Sequence, residues 1–373
     1  MNSNLPLPHD LADRLLRLGR ALIDQDRAQV LVNPQQPHSG FWFGGGNVIR
    51  DVDGSFLMCG RYRNAGDSRT GVGAGERGLE LAIFRATDPM GPYQRVRRFS
   101  KADLACGGEE VVSIEGAALA RTPQGLELFV STEKAILYPE RIRAFQKPGA
   151  GVWTIDHMVA ESVDALDASA LTPLLRPGSP ERLHVKDPVA LPEPDGGLTL
   201  IYCTHPFSWS SSGTAVAHRP AGEGAFVLVT EDLLKRGPVW DIAAARVTSR
   251  LTVPSWGVFA DQPPQSLFFY DSCECLRSME DHATSVKRPR GYSCEEIGGM
   301  AWGADAAFPE IASLTVEAPI FVSPHGTGCS RYIDTCVTEE GILATWQQSQ
   351  TDFSQPLVGH FLPNAEIRSI LGA

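Results

Sequence analysis

Three carboxylates recur at one place in the β-rich segments of this chain: Glu115 in EGAAL, Asp187 in DPVAL and Glu317 in EAPIF. Each acid is followed by apolar residues at the fourth and fifth places. If these segments are equivalent strands around one axis, the three acids face a common funnel. Clustered carboxylates repel one another and cost free energy unless a proton, a cation or a substrate relieves them. One carboxyl that protonates a leaving oxygen, with another that activates water or attacks the sugar carbon, is the apparatus of glycosidic bond cleavage. The competing arrangement has each acid capping a turn or paired with a base such as Lys186.

Other residue types fit the rim of such a funnel. Asn47 in NVIRD stands at the equivalent place in the first repeat, and the fourth repeat offers the neutral SWGVF. His325 in SPHGTG, eight residues after Glu317, suits a proton donor or the ligand of an axial ion, against a solvated loop histidine. Arg61 and Arg63 in GRYR, and Arg331 in SRYID, carry forked donors that match the carboxylate or phosphate of a sugar acid, with surface ion pairs as the alternative. Trp256, together with Trp42 and Trp209, is placed to stack on a sugar ring or to fill a core.

Several motifs are weaker than they look. GVGAGERG (71–78) lacks the Lys-Ser/Thr and the following helix of a phosphate-binding loop. Cys273, Cys275 and Cys294 have no paired spacing and no fourth ligand for a metal centre. No cofactor is expected, an axial cation beside the three acids being the one addition their charge would favour.

The elements that must position these residues follow from repetition. A unit of apolar strand, Gly-containing turn and second aromatic or β-branched strand starts at Gly45, Ile114, Val185, Pro254 and Val316, at intervals of roughly 62 to 71 residues. That length suits one four-stranded sheet with its loops, so an all-β, five-bladed propeller is expected over residues 40–373. LAIFRATDPMGPYQRV and TAVAHRPAGEGAFVLV echo each other as third and fourth strands of a blade. A β-sandwich is the alternative; a Rossmann-type sheet would need crossover helices that the sequence lacks. Residues 1–39 form an N-terminal extension. In it, Leu11, Leu15, Leu18 and Leu22 make the stripe of an amphipathic helix that docks on its own propeller or on a second copy as a homo-oligomer contact.

The hairpins, the KDP of Lys186 to Pro188, the SIEG of Ser113 to Gly116, and the TDPMGPY and TAVAHRPAGEGAF strands together resemble the five-bladed β-propeller glycoside hydrolases of families 43, 32, 117 and 130, over about residues 40–363. The resemblance implies three axial acids: a base or nucleophile, a residue that tunes pKa or steadies the transition state, and a general acid. It likens Asp187 to the Asp of an Arg-Asp-Pro motif that steadies the sugar, which leaves Glu115 and Glu317 for acid and base work. The family base lies in the first blade, where this chain has GGGN, with Asp51 as the nearest acid. The expected activity is exo-acting hydrolysis of a short oligosaccharide or glycoside. A sugar phosphorylase, or a non-catalytic propeller that binds sugar or protein, fits the same gap.

Composition narrows the partners. The 373 residues are 43% apolar and 21% charged, enough hydrophobic mass for a sizeable core. A net charge of -11 has the wrong sign for nucleic acid or anionic lipid. The N-terminus shows no signal-peptide pattern, no stretch reaches membrane-span length, and eight cysteines are too few for a disulfide scaffold. A cytoplasmic protein with a carbohydrate substrate is expected.

Overall fold

The structure, a computed structural model, describes residues 7–63, 78–207, 211–274 and 295–373. Helix α1 (His9–Leu22) follows Pro8, with Asp10 in its first turn and Arg20 in its last. These charges oppose the helix dipole, acid at the N-terminus and base at the C-terminus. Its leucine stripe is fully used: Leu11, Leu15, Leu18 and Leu22 are buried in one cluster with Phe269, Met300, Phe321 and Trp346. The stripe is therefore covered by this chain's own sheets.

After β1 (Gln29–Val32) the chain lays down five antiparallel sheets in sequence. The first holds β2 (Trp42–Gly44) and β3 (Val48–Arg50), which both pair with β4 (Phe56–Arg63), then β5 (Glu80–Ala86) and β6 (Gln94–Ser100). The second holds β7 (Val111–Thr122), β8 (Gly125–Lys134), β9 (Val152–Ala160) and β10 (Thr172–Leu175). The third holds β11 (Lys186–Pro192), β12 (Leu198–Thr204), β13 (Gly213–Arg219) and β14 (Val227–Thr230). The fourth holds β15 (Arg246–Thr252), β16 (Gln265–Ser272), β17 (Ile297–Ala304) and β18 (Ala312–Ser313). The fifth holds β19 (Ser330–Val337), β20 (Gly341–Gln348) and β21 (Leu357–Pro363), and takes β1 as its outer strand. Helix α2 (Asn364–Leu371) then packs beside α1, where Arg14 Nη1 donates to Ile370 O at 2.9 Å. The molecule is a five-bladed β-propeller.

Two repeats and one boundary differ from the sequence expectation. The inner strand of the fourth blade is β15, before Pro254; the PSWGVF segment is the turn that leads to β16 and contains a short 3-10 stretch at Gly257–Phe259. The inner strand of the fifth blade is β19, so the segment from Val316 is the crossing between blades. Neither RVTSRLT nor SRYIDTCV reads as an apolar strand, because the first carries two arginines and the second one, with partners that lie elsewhere in the sequence. Arg250 meets Asp305 at 3.1 Å and the Ser266 hydroxyl at 3.0 Å, while Arg246 and Arg331 both meet Glu296. The third correction concerns residues 1–39, which are not a separate extension: β1 lies among them and closes the propeller by pairing with β21.

At each seam between blades a polar side chain reaches across to the neighbouring backbone. Asn47 bridges blades one and two, donating to Leu119 O and accepting from Leu119 N–H, both at 2.8 Å. Asp187 Oδ1 accepts from Gly116 N–H at 3.0 Å, and Thr214 donates to Ala245 O at 2.8 Å. Thr248 donates to Ile333 O, and Asp334 Oδ2 accepts from Val48 N–H, again at 2.8 Å.

Candidate functional site

Every inner strand loses its register at the same level. The pairing with the second strand breaks at Gly45–Asn47, Glu115–Gly116, Asp187–Pro188, Thr248 and Tyr332–Ile333. Such bulges turn a strand and re-aim its side chains. Here they converge on one axial cavity lined by Gly45, Gly46, Ala117, Asp187, Thr248 and Tyr332, with Arg246, Asp271 and Cys203 beside them. Its interior volume is ≈ 30 Å³. A water needs about 10–15 Å³ measured this way, so the cavity admits water and not a whole sugar ring. A glycoside would meet these groups from the mouth.

Asp187 has a left-handed backbone, φ 51°, which a non-glycine residue adopts only when its surroundings hold it there. Ser131 supplies part of that hold: its hydroxyl accepts from Asp187 N–H at 3.1 Å and donates to Gly116 O at 2.9 Å. Gly116 supplies the rest, since a Cβ there would come within 2.7 Å of Asp187 Oδ1. Asp187 Oδ2 accepts no hydrogen bond among the described residues and lies 3.6 Å from Lys186 Nζ.

Glu115 is buried in a different setting. Its Oε1 accepts from the Ser113 hydroxyl at 2.8 Å, and its Oε2 lies 4.0 Å from Arg61 Nη2. Burial acts to raise its pKa, but Arg63, Lys186, Arg61 and the Ser113 hydroxyl outweigh it and hold the carboxyl at about 2. Glu115 is therefore a fixed anion at neutral pH. Glu296 is another, set between Arg246 and Arg331; their charges outweigh its burial and keep it well below the ordinary range.

Asp271 behaves oppositely. Burial, reinforced by the charge of Glu296, outweighs Arg246, Arg331 and the Tyr332 N–H and pushes it up to about 7. Both its oxygens accept from Tyr332 N–H, at 3.0 and 2.9 Å.

The predicted residues divide accordingly. Asp187 lines the axial cavity, Glu115 is buried at the neighbouring bulge without lining it, and Glu317 is exposed on the bend between β18 and β19. The expectation of three acids in register therefore fails at the fifth blade, where Tyr332 takes the bulge position. Asn47 is engaged in a blade seam and does not line the cavity. Arg61, Arg63 and Arg331 are buried rather than paired at the surface. Arg61 donates to Gly44 O at 2.9 Å and to the Tyr332 hydroxyl at 3.2 Å, while Arg63 and Arg331 lie over the Trp42 ring at 5.0 and 4.4 Å. Trp256 lies beyond the far end of β15 from the cavity, under Arg368 at 3.8 Å. His325 is exposed in a loop, its N–H donating to the Ser323 hydroxyl. Asp51 pairs with Arg121. Trp209, residues 71–77, Cys275 and Cys294 lie outside the described residues. Among those described, no group of three or more His, Cys, Asp or Glu is placed to hold a metal ion.

Among the described residues, the first blade presents no carboxylate to the axial cavity. Gly45 has φ 69°, and a Cβ there would overlap the Arg61 guanidinium, so an arginine fills the space that a first-blade carboxylate would need. Sequence reading missed Asp271, Arg246, Glu296 and Tyr332. One signal was available: Asp271 ends the apolar run SLFFYD, an acid where a buried strand should continue, and its cross-strand partner is the equally misplaced Arg246.

No protein-family description matches the sequence, and neither does any curated protein. Solved structures do match, along nearly the whole length. An α-L-arabinofuranosidase from Lactobacillus brevis is 12% identical with a TM-score of 0.53, over 90% of this protein and 93% of its own length. A GH43_1 enzyme from Xanthomonas citri complexed with xylose is 12% identical with a TM-score of 0.51, over 94% and 93%. The β-xylosidase RS223 is 10% identical with a TM-score of 0.51, over 90% and 95%. Identities this low speak for architecture, and the architecture is the five-bladed propeller of these glycosidase structures.

Proposed function

We propose that this protein hydrolyses glycosidic bonds at its axial cavity, removing the end unit of a short oligosaccharide or glycoside. The observation that carries the reading is Asp187: one carboxylate oxygen is fixed by Gly116 N–H, and the other accepts no hydrogen bond among the described residues, in a residue that lines a water-sized space. An oriented carboxylate beside a water can take its proton as the water oxygen adds to the sugar carbon. Glu115 serves as a permanent negative charge for a developing oxocarbenium ion. Among the described residues, five bulges close round one axis and leave a space too small for a whole sugar ring, which favours the end of an oligosaccharide over its interior. Five of the described cysteines, Cys59, Cys106, Cys203, Cys329 and Cys336, are buried and form no disulfide among the described residues, in keeping with a reducing, cytoplasmic setting.

The test is turnover of an aryl glycoside panel of furanosides, pyranosides and uronic acids, with Asp187→Asn beside the wild type. The variant should lose about 10²- to 10⁴-fold in kcat while its unfolding midpoint stays near that of the wild type. Equal rates for the two would remove Asp187 from the chemistry. Added inorganic phosphate separates hydrolysis from phosphorolysis, since only the latter yields a sugar phosphate.

One observation favours a second reading, a propeller that binds sugar without cleaving it. Glu115 is closed off by its neighbours, and Gly45 and Gly46 stand where the first blade would carry an acid. Binding of an oligosaccharide by calorimetry, with no turnover of the whole panel, would establish that reading instead.

A further inference from the structure

The cavity has a second carboxyl on its wall, and it comes from a blade where the sequence offered no acid. Asp271 stands at the end of β16 directly across the ladder from Arg246, and both residues line the same cavity as Asp187. Its position is fixed from outside its own strand. Tyr332, at the bulge of β19 with φ 53°, turns its N–H onto the two Asp271 oxygens. Here a carboxyl held by a backbone donor shares a cavity wall with a second carboxyl, one of whose oxygens accepts no hydrogen bond among the described residues. In such an arrangement one group can give a proton while the other takes one.

We propose that Asp271 is the proton donor to the leaving oxygen of the glycoside, with Asp187 receiving the proton of the attacking water. This rests on the hydrolytic reading of the axial site. The bond between the sugar carbon and the leaving oxygen breaks as the Asp271 proton moves to that oxygen. The water oxygen bonds to the sugar carbon and its proton passes to Asp187. The products are one sugar and one alcohol, and exchange with solvent restores both carboxyls.

The surroundings of Asp271 favour the protonated form that a donor needs. Around it stand Arg246 on its own sheet, Arg331 and Tyr332 from the fifth blade, Glu296 before β17, and the Cys329 thiol. Burial and Glu296 prevail there, and the group titrates at about 7. Across the cavity, Asp187 has Lys186 at 3.6 Å, and the Cys203 thiol, which burial pushes up to about 12, adds no charge.

The test compares leaving groups. Asp271→Asn should lose about 10²-fold or more in kcat/KM on a glycoside whose leaving alcohol is weakly acidic, and much less on its dinitrophenyl counterpart, which departs without protonation. The wild-type rate should fall as pH rises through about 7, and Asp271→Glu should move that limb while keeping part of the activity. Equal losses of Asp271→Asn on both substrates, with its unfolding midpoint unchanged, would overturn the donor role. A readout independent of turnover is the ¹³C shift of the labelled Asp271 carboxyl in the full-length protein. A protonated carboxyl at about pH 6 supports the donor, whereas an ionised one at about pH 5 overturns it even if Asp187→Asn is inactive. A wild type that turns over no glycoside while Asp271 titrates near 7 overturns the hydrolytic reading, and the donor role with it.

Discussion

Asp334 and Asp271 are both pushed up to about 7 by burial, yet only Asp271 lines the cavity. Asp334 seals the fifth blade to the first through Val48 N–H. A raised pKa here marks a cost of ionisation, and the contact decides what that cost is for. The native state binds the Asp334 proton more tightly than the unfolded state does. Its contribution to stability is therefore complete below the ordinary Asp range and is lost as pH rises through about 7. Asp334→Asn retains an acceptor for Val48 N–H and cannot ionise. The variant should match the wild type near pH 4 and exceed it by roughly 1–4 kcal/mol above about pH 8, with turnover unchanged. Urea unfolding across that pH range measures the difference, and a variant weaker than the wild type at both ends would contradict the account.

Bulges are the elements that convert five ordinary hairpins into a site. Each inner strand would otherwise alternate its side chains between the two faces of its blade. At the bulge the backbone turns, and Asp187 and Tyr332 take left-handed conformations to do so. The first blade manages the same turn with Gly45, whose carbonyl accepts from Ala117 N–H at 2.9 Å. Gly45→Ala should destabilise the protein by about 1–3 kcal/mol, because the new Cβ meets both an unfavourable φ and the pinned Arg61 side chain. Thermal unfolding would show the loss. Activity should fall with it through displacement of Arg61, which Glu115 and Tyr332 both use.

Closure is a property of the whole molecule. The fifth blade is completed by β1, so strands from opposite ends of the sequence meet in one sheet, and α1 with α2 covers the same side through the buried leucines. Removing residues 1–32 would leave β21 as an edge strand, paired only with β20, and uncover Trp346, Phe321 and Met300 together. Such a truncation is expected to lose cooperative unfolding altogether, read by circular dichroism on heating, because an edge strand and a large apolar face are exposed at once. Retention of a sharp transition near the wild-type temperature would show that the five seams between blades suffice.

The amphipathic helix, the all-β texture and the number of blades were legible in the sequence because neighbours along the backbone create them. A leucine stripe or a strand-turn-strand unit needs only a short window to be seen. Glu115 and Asp187 were legible for the same reason, lying in the two hairpins whose first strands follow the apolar pattern. Glu317 was misplaced, and Asp271, Arg246 and Glu296 were missed, because membership of the axis depends on pairings between residues far apart in sequence. Arg246 and Arg331 made β15 and β19 look unlike inner strands until Glu296 supplied the counter-charge that both share. GGGN was visible in the sequence, but only the packed structure shows the Arg61 guanidinium occupying the space beside Gly45. Local pattern determined which elements form, and long-range electrostatics and bulge register decided which side chains share the cavity.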